Sequence, residues 1–112
     1  MERSDAVKVY KKLVRDLVPE TLRAGGHEVS TRTLVGRELL EALRAKIDEE
    51  AAEYDTALDD EQAAVELADL LEVIMAIAKR RGLSEAAVQQ VRAAKAAQRG
   101  AYDLGVFLIS AE

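Results

Sequence analysis

Three observations predict a mainly α fold: an antiparallel helical bundle completed by oligomerisation, with short N- and C-terminal strands. Leu39, Leu40, Leu43, Ile47, Glu50, Ala51 and Tyr54 recur at the i, i+3, i+4, i+7 spacing that puts side chains on one helix face. The segment beyond Asp60 carries Val65, Leu67, Ala68, Leu70, Leu71, Val73, Ile74, Ile77 and Ala78. It is apolar over much of its circumference and so predicts the central buried element. Hydrophobic residues make up 49% of the chain but aromatics only 4%, so the core must be built from Leu, Ile, Val and Ala. That palette favours helix against helix over a sheet sandwich.

Taken in order, Val7 to Val14 alternates loosely and reads as a short strand or extended arm. Pro19 opens a helical turn to Ala24, which Gly25-Gly26 ends. Val29 to Leu34 again reads as extended, and His27, the only histidine, lies in the loop before it. The first long helix is expected from about Gly36 to Ala57. Asp59 and Asp60 are suited to cap the next one, with Gln62 three residues after Asp59. Lys79-Arg80-Arg81-Gly82 is a stop signal, cations in the last turn followed by glycine. Ser84 caps a further helix, Glu85 to about Gln98, with Val88, Val91 and Ala94 on one side; Gly100 ends it. Asp103 to Ala111 reads as a terminal strand that could pair with the N-terminal arm.

The 112 residues form one domain, 1–112, near the commonest domain size. A helical layer this small leaves apolar faces wet, which predicts a homo-oligomer. The net charge is −5, from 16 basic and 21 acidic residues, which disfavours a nucleic-acid polymer as partner. With no cysteine, disulfides, zinc ribbons and thiol catalysis are excluded. The longest apolar run, near Leu70, is too short to span a membrane, and residues 1–5 lack a signal-peptide core. The expected location is therefore cytoplasmic.

The chemistry lies in two acidic pairs, Glu50-Ala-Ala-Glu53 and Glu66-Leu-Ala-Asp69. Residues three apart share a helix face with Cβ atoms roughly 5–6 Å apart. If the two helices pack as a hairpin, four carboxylates converge. Glu50 lies on the apolar stripe and Glu66 and Asp69 sit in the most apolar helix, where an unpaired carboxylate costs several kcal/mol. Lys46 is the nearest base, and Glu72, one turn beyond Asp69, is a fifth acid close by. A surplus of like charge calls for a cation, and oxygen-only ligands suit Mg²⁺ or Mn²⁺. An acidic protein that handles polyphosphate needs such an ion to reverse the local sign. The alternative is an ordinary charged surface in which Glu49, Glu50 and Glu53 pair with Arg44 and Lys46.

With both pairs placed, the chain resembles the MazG-like all-α nucleoside triphosphate pyrophosphohydrolases, whose pattern is Glu-x-x-Glu, a spacer, then Glu-x-x-Asp on the next helix. The spacer here is residues 54 through 65. Lys12-Leu13-Val14-Arg15-Asp16-Leu17-Val18-Pro19 is similar to the opening Lys-Leu-Val-Arg-Asp-x-x-Pro of the small, phosphoribosyl-ATP pyrophosphohydrolase-like (house-cleaning) branch. Lys95 to Gly100, followed by Val106-Phe107-Leu108, matches its closing Lys-x-x-x-Arg-Gly and apolar strand. Two departures are Leu17, where many relatives are basic, and the Ala101-Tyr102 region, where many carry an aromatic after Gly-Gly.

The resemblance implies Mg²⁺-dependent hydrolysis of a nucleoside triphosphate between the α- and β-phosphates, giving monophosphate and pyrophosphate, in dimers or tetramers. On this reading Glu50, Glu53, Glu66 and Asp69 are metal ligands. Glu53 is the candidate to accept the proton of the attacking water. Phosphate charge also needs protein cations, and Lys12, Arg15, Lys95 and Arg99 are the candidates, with Asp16 able to hold Arg15. Two alternatives stay open: phosphoribosyl-ATP hydrolysis, and a non-catalytic helical module whose acidic stripe binds a partner.

Overall fold

A computed structural model describes residues 7–112, which form four helices: α1 (Val18–Ala24), α2 (Gly36–Asp55), α3 (Asp60–Arg80) and α4 (Glu85–Arg99). The chain divides into two compact units, one ending at Ile74 and the other Met75–Glu112, with the division inside α3.

In the first unit, proline in the opening turn starts α1, because its missing N–H is one a helix start leaves unpaired anyway. At its end Gly26 adopts φ +92°, and the His27 and Gly26 amides donate back to the Leu22 and Arg23 carbonyls at 3.1 and 3.0 Å. This is a Schellman closure, which needs a left-handed residue and so selects glycine. Helix α2 buries Leu43 and Glu50, seven residues apart on the stripe expected for it. Asp59 caps α3: its Oδ1 accepts from the Gln62 amide at 2.9 Å, and Gln62 Oε1 in turn accepts from the Leu58 amide at 3.0 Å. Val73 is the buried residue of α3 in this unit.

The second unit starts with the last turn of α3, where Lys79 and Arg80 meet the carbonyl end of the helix dipole. The Leu83 and Gly82 amides donate to the Ala78 and Lys79 carbonyls at 2.9 and 3.1 Å, a second Schellman closure, and Ala78 is buried. Ser84 Oγ accepts from the Ala87 amide at 3.0 Å and starts α4. Beyond Gly100 the chain makes no further helix, and Leu104, Val106, Phe107, Leu108 and Ile109 are all exposed.

Two expectations need correction. Residues 7–14, 29–34 and 103–111 form no strand; there is none among the described residues. A strand exists only as one side of a hydrogen-bonded ladder, and none of these segments has found its other side. Helix α3 is also not buried all round: Val65, Leu67 and Leu71 are about half exposed. Among the described residues the buried apolar ones are Leu43, Val73 and Ala78, and no large side chain is fully buried.

Candidate metal centre

The same stripe that buries Leu43 carries Glu50 inward, because seven residues is close to two helical turns. On α3, Glu66, Asp69 and Val73 fall on one face by the three- and four-residue rule. Glu50, Glu66 and Asp69 each offer a carboxylate oxygen, and these oxygens lie within 4.8 Å of one another. Three of the four acids expected to converge therefore do so. Glu53 is exposed and stands outside this group, as does Glu72. The reason is angular: with Glu50 pointing inward, Glu53 is rotated by about 60° toward solvent.

Glu50 is only 8% exposed. Burial and the Asp69 charge push its pKa above the ordinary value; Lys46, with Nζ at 3.7 Å, works the other way, and a hydrogen bond with Glu66 adds to the rise. Burial works against ionised Glu49 as well, but there the cations win. Lys46 Nζ donates to its Oε1 at 3.0 Å and Lys12 Nζ lies at 3.5 Å, holding Glu49 below its ordinary pKa. Two adjacent carboxylates are thus driven in opposite directions. Lys46 serves both, but stands closer to Glu49.

Arg15 Nη2 donates to Asp69 Oδ1 at 2.6 Å. Arg15 thus sits on the rim of the three-acid group, and Lys12 one ion pair away on Glu49. Lys95 and Arg99 are exposed on α4, in the second unit. Arg44, considered as a partner for the glutamates, pairs instead with Asp48 at 2.9 Å. The Arg15–Asp69 contact, 54 residues apart in sequence, is the functional feature that spacing could not have found.

Whether this set fits a divalent ion can be tested on its oxygens. Ligands on one Mg²⁺ at 2.0–2.1 Å stand about 2.9 Å apart when adjacent and about 4.2 Å when opposite. A group whose oxygens lie within 4.8 Å of one another must draw slightly closer to reach that geometry. The donor set is all carboxylate oxygen, which suits a hard cation.

Among the described residues, no helix is long and apolar enough to cross a membrane. No family model matches the chain, and no solved structure matches it. It is similar to an uncharacterized protein of Mycolicibacterium smegmatis, 49% identical over 55 residues, which are 49% of this chain. The match spans 55% of that relative's length.

Proposed function

We propose that the protein is a cytoplasmic, homo-oligomeric, metal-dependent hydrolase that cleaves nucleoside triphosphates, non-canonical ones included, to monophosphate and pyrophosphate. The observation that carries the reading is the convergence of Glu50, Glu66 and Asp69 around a buried carboxylate whose pKa is raised. Such a group is costly as it stands and gains by taking up a cation. The likeness of residues 12–19 and 95–100 to the MazG-like branch supplies the reaction class.

Glu50, Glu66 and Asp69 would hold Mg²⁺ or Mn²⁺, with Glu53 at the exposed edge. The ion would neutralise charge on the phosphate oxygens and lower the pKa of a nearby water. The water oxygen bonds to the α-phosphorus in line as the bond to the α–β bridging oxygen breaks, and pyrophosphate leaves. Exposed Glu53 is free to turn toward the water and take its proton. Arg15 holds Asp69 at 2.6 Å and is the nearest cation to meet the polyphosphate once Asp69 turns to the metal. Lys12 pairs with Glu49, and Lys95 and Arg99 lie four apart on α4, in the second unit.

A second reading rests on that Arg15–Asp69 contact together with the Lys46 pairs. They neutralise part of the acidic group without any metal, as a structural ion-pair network in an interaction module would. Pyrophosphate release from a panel of standard, deoxy and modified nucleoside triphosphates, with Mg²⁺, Mn²⁺ or EDTA, separates the two. Release that EDTA abolishes supports the hydrolase. A folded protein that releases none from any substrate leaves the module.

A further inference from the structure

We propose that the cavity between α2 and the chain before α1 is an anion site. It takes the β- and γ-phosphates of the substrate and, after cleavage, the pyrophosphate; this rests on the hydrolase reading above and gives its leaving group a place. On α2, Ala42, Ala45, Lys46 and Glu49 share one face by the three- and four-residue rule. Residues 11–13 lie across that face and leave a space of about 240 Å³, all of it within the first unit. The two alanines provide the room, which longer side chains would fill. Lys11, Lys12 and Lys46 line the space against one acid, Glu49. They come from two segments far apart in sequence, so the period of one solvated helix does not account for the cluster.

The lining is short of negative charge. Lys46 Nζ donates to Glu49 Oε1 at 3.0 Å, and Lys12 Nζ lies 3.5 Å from the same oxygen, so one carboxylate oxygen serves two ammonium groups. The Lys46 side chain is only 16% exposed and carries three donors, of which one is used on Glu49. Phosphate oxygens are the acceptors that match such donors. Lys11 lines the cavity from a backbone φ of +48°, a left-handed conformation that L residues rarely adopt and that tends to mark a working position. Lys8 adds a further cation nearby: its Nζ lies 5.0 Å from the centre of the Tyr10 ring, and that of Lys12 lies 5.7 Å from it. Placement fits the reaction as well. Lys46 Nζ is also 3.7 Å from Glu50 Oε1, so the cavity borders the acidic group. Glu53, one turn beyond Glu49, stands on the same side of α2. A triphosphate whose α-phosphorus is at the metal thus has its tail among the lysines. No aromatic ring lines the cavity for a base to stack on, which assigns it to the tail rather than the nucleoside. Cleavage leaves the electron pair on the bridging oxygen, and the lysines neutralise the charge that collects on the pyrophosphate.

Isothermal titration of inorganic pyrophosphate into the metal-stripped full chain tests the site without turnover. The wild type should bind one pyrophosphate per chain, more weakly as salt is raised. Ala45→Leu fills the cavity while leaving every charge in place, and should weaken binding by about tenfold or more. Lys11→Gln removes one charge-assisted contact and should weaken it by about tenfold. Lys79→Gln removes the same charge from the second unit and should leave binding unchanged. Circular dichroism checks that each variant is folded. A wild type that binds no pyrophosphate overturns the site and leaves the hydrolase standing. The same follows if folded Ala45→Leu and Lys11→Gln bind as the wild type does, or if Lys79→Gln weakens binding as much as Lys11→Gln. Binding with the expected responses, by a chain that releases pyrophosphate from no nucleotide, upholds the anion site and overturns the reaction.

Discussion

Replacing Glu50 by Gln removes one charge from the acidic group while keeping the side chain's shape. Two carboxylates with oxygens up to 4.8 Å from that of Glu50 each repel it by at least about 3.5 kcal/mol at an effective dielectric constant of 20. Lys46 at 3.7 Å returns about 4.5 kcal/mol, and Arg15 on Asp69 offsets part of the repulsion. A net penalty of about 1–2 kcal/mol remains, to which burial of the charge adds. Lys46 is not stranded by the change, because Glu49 at 3.0 Å keeps it paired. In EDTA, Glu50→Gln should therefore raise Tm by about 4–8 °C, at about 4 °C per kcal/mol for a chain of this size. Magnesium should close most of that gap. At about 10 mM and a Kd of about 1 mM the wild type gains about 1.4 kcal/mol, and the variant gains little. Thermal unfolding followed by circular dichroism with EDTA or Mg²⁺ reads both effects, and pyrophosphate release reads the loss of turnover. A variant less stable than wild type in EDTA, or one with an undiminished Mg²⁺ response, would refute the reasoning.

Arg15→Gln should cost the metal-free protein under about 1 kcal/mol, since Arg15 is largely exposed. It should enlarge the Mg²⁺-induced rise in Tm by releasing Asp69, and lower turnover in the pyrophosphate assay. Ser84→Ala removes the hydroxyl that accepts from Ala87, and should cost about 1 kcal/mol, read as a Tm lower by about 4 °C with turnover per folded molecule unchanged. Glu50 and Glu49 should give opposite pH slopes in EDTA. Glu50 has a raised pKa, so the folded state holds its proton longer than the unfolded state does. Stability falls as pH climbs from the ordinary 4.5 through the folded value. Glu49 has a lowered pKa, so its contribution is present above 4.5 and is lost as pH falls through the folded value. Urea unfolding across this range should show a decline above pH 4.5 that Glu50→Gln flattens.

The helices were legible because their signals are local. Pro19, Asp59 with Gln62, Ser84 and the Lys79-to-Gly82 stop each act within one or two turns, and each is found near its expected boundary. The acidic site was legible to the extent that it follows helical spacing. Period placed Glu50 with Leu43 and Glu66 with Asp69, but the three-residue rule is too coarse to say that Glu53 turns outward. The Arg15–Asp69 contact was beyond any such rule, because it depends on where the arm before α1 lies rather than on the period of a helix.

Unpaired extended segments and the wet face of α3 share one cause. Periodicity reports which side chains ought to be covered, not what covers them. Leu67 and Leu71 read as core for the same reason that Val73 does, yet only Val73 is buried. Likewise Val106 to Ile109 has the composition of a strand, and a ladder needs a second edge. If a second copy covers the wet face of α3, it also bears on the acids, because Glu66 and Asp69 share that helix with Leu67 and Leu71. Leu71→Glu should then lower turnover and the Mg²⁺ response together with oligomer mass, although Leu71 lies about 160° around α3 from Asp69. Equal turnover per chain by a folded monomer would show that the first unit of one chain alone holds the three acids in place.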